Sequence, residues 1–135
     1  MVKKEYPPNF ERIQKAFRSY TFDNSQMIYA YWPDIYNPDG VHIPKDTMAH
    51  ELVHLERQEN NPEAWWDKYL TNANFRLEEE LAAYREQYRF AKTIIKDRNK
   101  LALGLMKIAH CLASSMYGNL LSINEAIKAI EQIKQ

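Results

Sequence analysis

β-strand composition is confined to one short stretch of this chain, and that feature constrains the fold more than any other. Residues 27–32, Met-Ile-Tyr-Ala-Tyr-Trp, are aromatic and β-branched, which predicts a strand. Turn-forming residues at 33–34 and 37–40 flank a short extended piece, and residues 41–43 follow as a further extended piece. Segments this short predict a small antiparallel sheet or hairpin and exclude a large sheet.

Helical spacing governs the rest of the chain. Apolar residues recur at three- and four-residue intervals before the strand and after Pro44. With the capping residues, these intervals predict helices over 10–20, 46–59, 62–70, 75–96 and 101–114, and a last helix that Ser122 and Glu125 begin as a capping box. Turns are expected at 21–25 and 117–119. The most apolar helix, 101–114, is expected to be largely buried. The predicted fold class is α+β and mostly helical.

Length and charge limit the class of protein. The 135 residues suit a single domain, 1–135. Lys plus Arg and Asp plus Glu both number 18, so the formal charge is zero, which disfavours nucleic acid or an anionic membrane as the main partner. The single Cys111 excludes an internal disulfide and favours a reducing compartment. Neither a signal peptide nor a membrane-spanning segment is recognisable, so a cytoplasmic protein is expected.

One motif in the helical part carries recognisable chemistry. It reads His50-Glu51-Leu52-Val53-His54. Residues four apart lie on one face of a helix, so both imidazoles can reach one ion. Glu51 lies about 100° further round the helix, where it is poorly placed to bind that ion but well placed beside a water molecule on it. Two histidine ligands and an adjacent general base are the division of labour in zinc hydrolases. The alternative is two ordinary histidines on an amphipathic helix.

A catalytic zinc ion usually has three protein ligands and one open position, so a third ligand must come from elsewhere. His42 would have to reach across from the extended piece, and His110 lies in the apolar helix, where a structural core histidine is more common. The stronger candidates are three consecutive acids: Glu78, Glu79 and Glu80. Because successive helical residues point about 100° apart, at most one faces the ion. Small Ala83, on the same face as Glu80, permits close approach to the zinc helix. This face lies beside the apolar core stripe of the helix, which consists of Leu77, Leu81, Tyr84, Tyr88, Ala91 and Ile95. The other two acids are then solvated charges; the alternative is a charged helix face for all three.

The string AHELVHLERQ, followed by FRLEEELAAYREQ, resembles the small gluzincin-type zinc metallopeptidases, which include the compact minigluzincins of phages and bacteria. In that family a His-Glu-x-x-His helix is completed by a Glu on a following helix, in a Glu-x-x-Ala-aromatic context. Glu80 matches this context, with Ala83 and Tyr84 at the required offsets, and its two acidic neighbours do not. The resemblance extends to PEAWW at 62–66 and SMYGN at 115–119.

The resemblance implies a minimal zincin-like fold and a zinc-dependent peptidase acting on a peptide or protein. Zn²⁺ would be held by three residues: His50, His54 and Glu80. Glu51 would accept a proton from the metal-activated water. An exposed strand edge, assigned to residues 41–43, would hold an extended peptide. Oxyanion stabilisation needs a further group, for which Tyr117 is the first candidate and Tyr31 the second.

The remaining aromatic and apolar residues are expected to pack. Trp65, Trp66, Tyr69 and Phe75 should attach the short helix to the core, and the alternative is that they line a substrate pocket. Met48, Leu52 and Leu55 should form the packed back of the zinc helix. A chain this short suggests an open, shallow substrate groove. Two rival functions stay open: a catalytically silent zinc-binding interaction or regulatory module of phage or bacterial origin, and a helical interaction protein whose histidines bind no metal.

Overall fold

The computed structural model describes residues 1–18 and 27–131. Its helices are α1 (Phe10–Ala16), α2 (Lys45–Gln58), α3 (Pro62–Thr71), α4 (Ala73–Ile94), α5 (Arg98–Leu112) and α6 (Ile123–Glu131), with a short 3-10 helix at Ser115–Tyr117. The strands are β1 (Val2–Lys3), β2 (Tyr29–Tyr31) and β3 (Asp34–Tyr36). The α+β, mostly helical class is confirmed. The first helix ends at Ala16, earlier than the predicted end at Tyr20, and the turn predicted at 21–25 lies outside the described residues.

The sheet has three strands in the order β1-β3-β2. β2 and β3 form an antiparallel hairpin in which Ala30 pairs with Ile35, and β1 adds to β3 in parallel, with Val2 opposite Ile35. The prediction of a strand at 41–43 is wrong. The Asn37 side chain bonds both the N–H and the C=O of Val41, at 3.2 and 2.7 Å, which ties this segment into a local loop.

Side-chain caps fix where several helices begin. The Asn61 side chain accepts from the N–H of Ala64 at 3.2 Å, and Asn72 accepts from Phe75 at 3.1 Å. The capping box before α6 is confirmed, because Ser122 and Glu125 bond each other's backbone N–H at 3.1 and 2.9 Å. These caps mark where α3, α4 and α6 begin.

Two apolar clusters hold the helices together. One contains Leu77, Tyr88, Leu105, Ala109, Leu112, Tyr117, Ala126 and Ile130. The other contains Ile13, Phe17, Tyr29, Tyr36, Trp65, Trp66 and Tyr69. The predicted core stripe of α4 and the packing role of the aromatic residues of α3 are therefore confirmed. Met116 packs against both clusters, so the 3-10 helix joins them.

The buried face of α2 is polar, and this is the most unusual feature of the fold. It consists of His50, Glu51, His54 and Gln58. The expectation that Leu52 packs behind the motif is wrong, because it is 51% exposed. Gln58 donates to the C=O of Ala30 at 2.8 Å and accepts from the N–H of Trp32 at 2.6 Å, which attaches α2 to β2. On the other side α4 packs along α2, where Ala83 is fully buried, as expected.

α5 is not the buried helix that its composition suggested. Leu103 is 60% and Met106 42% exposed, and His110 is exposed instead of lying in the core. Only one face of α5, which includes Leu105, Ala109 and Leu112, enters the core. Among the described helices, none is long and apolar enough to cross a membrane.

Candidate metal centre

The structure brings three donor side chains from two helices together. Nε2 of His50 and Nε2 of His54 are 3.1 Å apart. Oε1 of Glu80 lies 3.1 Å from the first, and Oε2 lies 3.2 Å from the second. All three residues are buried, with 5–7% of their surface exposed. Within the described part of the chain this group could hold a metal ion.

The spacing of these donors fits a divalent cation. In a tetrahedral site with bonds of about 2.0–2.1 Å, donor atoms lie about 3.3–3.4 Å apart. The observed separations of 3.1–3.2 Å approach that edge length. Two neutral imidazole nitrogens and one carboxylate oxygen suit zinc and several other divalent ions, so the residues fit a metal without identifying it.

Glu80 is kept ionised by its surroundings. Burial favours the neutral acid, but His54 and His50 outweigh that effect and hold the pKa of this carboxyl well below its usual value. The Tyr69 hydroxyl also donates to Oε2 at 2.5 Å. A carboxylate that is charged, buried and fixed in place is the form that binds a cation.

Aromatic rings pack against both histidine rings, whose Nε2 atoms contact each other and Glu80. The Tyr84 ring lies 4.4 Å from the His50 ring and the Trp65 ring 5.3 Å from the His54 ring, both edge-on. Nδ1 of each histidine is buried and has no hydrogen-bond partner among the described residues. The carbonyl or carboxylate acceptor that metal-binding histidines usually have is therefore absent from this part of the chain.

Glu51 lies beside the donor triangle without belonging to it. Its Oε2 is 4.0 Å from Nε2 of His50, and the residue is 8% exposed. Burial raises the pKa of Glu51 to about 7, against a smaller opposite effect of His50. A carboxyl group that exchanges its proton near neutral pH is suited to general acid–base chemistry.

A second carboxylate, that of Glu79, lies next to the centre. The expectation that Glu79 is a solvated charge is wrong. Glu79 is 5% exposed, whereas Glu78 is exposed as predicted. Glu79 accepts two bonds from the Arg57 guanidinium at 2.8 and 2.9 Å and one from the indole N–H of Trp65 at 2.8 Å. Burial opposes its ionisation, but the bonds from Arg57 and Trp65 lower its pKa below the usual value. The acid therefore anchors the indole that packs against His54.

A cavity of about 450 Å³ contains the donor triangle and Glu51. Residues of α1, β2 and α3 also line it, and the open, shallow groove that the chain length suggested stays a prediction. Tyr117 lines it and is 4% exposed. Burial and the Glu80 carboxylate raise the pKa of three surrounding phenols, those of Tyr69, Tyr84 and Tyr117.

Three residues considered from the sequence do not reach the site. His42 and His110 are exposed and do not belong to the donor group. Tyr31 lines a separate cavity with Phe10 and Arg12 near the N-terminus, so it is not available as a second oxyanion candidate. No lysine or arginine among the described residues lines the cavity of the donor triangle.

Comparisons with protein-family models, with curated proteins and with solved structures gave no match. The candidate centre therefore rests on the geometry of this chain. Sequence reasoning missed Tyr69, Arg57 and Trp65 as supporting residues. No sequence pattern marks these three residues as part of the site, because their roles depend on how α3 packs against α2 and α4.

Proposed function

We propose that this protein is a zinc-dependent peptidase of the gluzincin type. One observation carries the proposal: a buried carboxyl group, Glu51, stands beside a buried His-His-Glu donor triangle in one cavity. A structural metal site needs no adjacent base and is normally closed by four protein ligands. Three donors with a neighbouring acid are the arrangement expected of a hydrolytic centre.

His50, His54 and Glu80 are the proposed metal ligands, and the single negative charge of Glu80 would leave the site less positive than three histidines would. When bound there, zinc supplies Lewis acidity and lowers the pKa of water toward about 7. Glu51 accepts a proton from the attacking water and delivers it to the leaving amine. In the metal-free chain, burial raises the pKa of Glu51 to about 7.

Two further features support a peptide substrate. The cavity walls are mostly apolar and aromatic, and no lysine or arginine among the described residues lines them. Such walls suit the uncharged amide group of a peptide bond. Tyr117 is the proposed oxyanion stabiliser, because it lines the same cavity as Glu80, where burial and that carboxylate raise the pKa of its hydroxyl. The free Cys111 agrees with a reducing, cytoplasmic setting for the proposed enzyme.

The test combines turnover with metal content. The wild-type chain, Glu51→Gln and the exposed control Glu78→Gln are loaded with zinc and incubated with a library of internally quenched fluorescent peptides. We expect cleavage by wild type and control and a loss of at least about 100-fold in Glu51→Gln, with one zinc retained in each.

The other outcomes separate the rival functions. Zinc retained with no cleavage by the wild-type chain would favour a silent metal-binding module over an enzyme. No zinc in any of the three proteins would leave a helical interaction protein. Equal cleavage by wild type and Glu51→Gln would contradict the role of Glu51 as base.

A further inference from the structure

A second cavity, of about 350 Å³, lies between α4 and α5. Four residues of α5 that line it are Lys100, Gly104, Lys107 and Cys111. Their spacing of four, three and four residues places them in one stripe along the helix. We call this cavity the α4–α5 groove. The exposed face of α5, which the sequence did not predict, includes Lys100, Gly104 and Lys107.

Gly104 has no role in packing the fold. A Cβ atom built at this position would meet nothing within 4 Å. Glycine within a helix is less stable than alanine because its backbone loses more freedom on folding. Glycine at position 104 thus does not stabilise the fold, but it leaves space at the midpoint of the groove.

The chemistry of the groove is that of a site for an apolar group with a negative charge. Its walls are largely apolar, formed by Tyr88, Ala91, Ile95, Leu101, Leu105 and Ile108. Lys100 and Lys107 are exposed at its rim and form no ion pair within the described residues. One acid, Asp46, is found among the described lining residues, and the Gln87 amide contacts it at 3.4 Å.

The groove adjoins the candidate metal centre. Tyr84 and Cys111 line both cavities, and the Tyr84 ring packs against His50. From Lys100 to Cys111 the stripe rises about 16 Å at 1.5 Å per residue. An extended peptide covers that distance with about five residues at about 3.3 Å each. The polar groups of Asp46 and Gln87 lie at the metal end, where peptide N–H and C=O groups need partners.

We propose that the α4–α5 groove binds the apolar C-terminal residues of a peptide, with the terminal carboxylate at Lys100. The proposal rests on the proposed peptidase function for its biological meaning, because the part of the substrate that precedes the bound C-terminal residues would lie toward the metal centre. The binding itself requires no metal, so it is tested on the metal-free chain.

The experiment measures binding of acetyl-Ala-Gly-Leu-Leu with a free carboxylate to the metal-free protein by NMR titration. The same peptide with an amidated C-terminus and octanoate are the comparison probes. We expect the amide to bind at least tenfold more weakly than the acid, and shifts in amide signals along α4 and α5. Equal affinity of acid and amide, or tighter binding of octanoate than of the peptide acid, overturns the proposal.

Variants locate the site. Gly104→Leu fills the groove and should weaken the peptide acid at least tenfold, and Gly104→Ala, which favours the helix, should weaken it about threefold. Lys100→Gln should remove most of the preference for the acid over the amide. Ala102→Leu, on the exposed face outside the groove, should change nothing. Normal affinity in a folded Gly104→Leu or Gly104→Ala contradicts the proposal.

His54→Ala separates this proposal from the proposed function. Peptide affinity should be unchanged in that variant, because the groove does not contain His54. Affinity lost in His54→Ala would show that the peptide binds at the donor triangle instead, and this overturns the groove proposal. An inactive enzyme that still binds the peptide in the groove would contradict the peptidase proposal alone.

Discussion

The Tyr69 hydroxyl lies 2.5 Å from Oε2 of Glu80 and donates a hydrogen bond to it. α3 thereby fixes a carboxylate of α4 that faces two imidazoles of α2. Tyr69 itself is held by the Trp65 ring, which stacks on it with ring centroids 4.9 Å apart. The donor triangle is consequently built by three helices, although only two of them supply its donors.

Removing this hydroxyl should weaken the metal site without unfolding the protein. In Tyr69→Phe the ring remains in the aromatic cluster, but Glu80 loses its bond and gains rotational freedom. We expect zinc affinity, measured by competition with a chromogenic chelator, to fall about 10- to 100-fold. Tyr29→Phe is the matched control, because the Tyr29 hydroxyl is buried in the same cluster without a partner among the described residues. Equal losses in the two variants would argue against a specific role for Tyr69.

Glu79 should act on the metal through Trp65 and His54. Glu79→Gln keeps a hydrogen-bond acceptor for the indole but removes the charge that holds Arg57, whose side chain is 43% exposed and can be solvated. We expect zinc affinity to fall about tenfold, while the free energy of unfolding of the metal-free chain falls by only about 1 kcal/mol. The exposed Glu78→Gln should leave both quantities unchanged. A large loss of stability with unaltered zinc affinity would make Glu79 purely structural.

Metal retention should depend steeply on acidity. Imidazoles bind metal only when neutral, and their ordinary pKa is about 6.5. The depressed pKa of Glu80 keeps that ligand ionised at lower pH than an ordinary glutamate. Zinc affinity should drop by up to about 100-fold per unit below about pH 6, since two protons compete for one ion. Chelator competition between pH 4 and 8 measures this. Unchanged zinc content at pH 4 would exclude the two histidines as ligands.

Local signals predicted most of the fold. Periodicity and caps located the helices, because a capping side chain such as Asn61 or Ser122 acts within three residues of itself. The strand predicted at 41–43 was wrong, because the Asn37 side chain bonds both backbone groups of Val41 and ties this segment into a local loop. The parallel partner β1 was not predicted, because strand pairing over more than thirty residues leaves no local pattern.

The part of the candidate site that depends on the spacing of residues along a helix was predictable from the sequence. His50 and His54 share a helix face by geometry, and the context of Glu80 distinguished it from its neighbours. The fate of Glu79 was not predictable, because its burial depends on Arg57 and Trp65 from two other helices. The burial of a polar stripe on α2 and the exposure of Leu52 likewise follow from tertiary packing, which reverses the usual preference of an amphipathic helix.

The most direct test of the central claim is the metal content of the protein purified without chelator, compared with Glu80→Ala and the exposed control Glu78→Ala. Elemental analysis and a zinc titration of the metal-free chains give the stoichiometry and the affinity. The account predicts one divalent ion per chain in the wild type and the control, and at least a 100-fold weaker site in Glu80→Ala. Full metal content in Glu80→Ala, or none in the wild type with no affinity on titration, would contradict it.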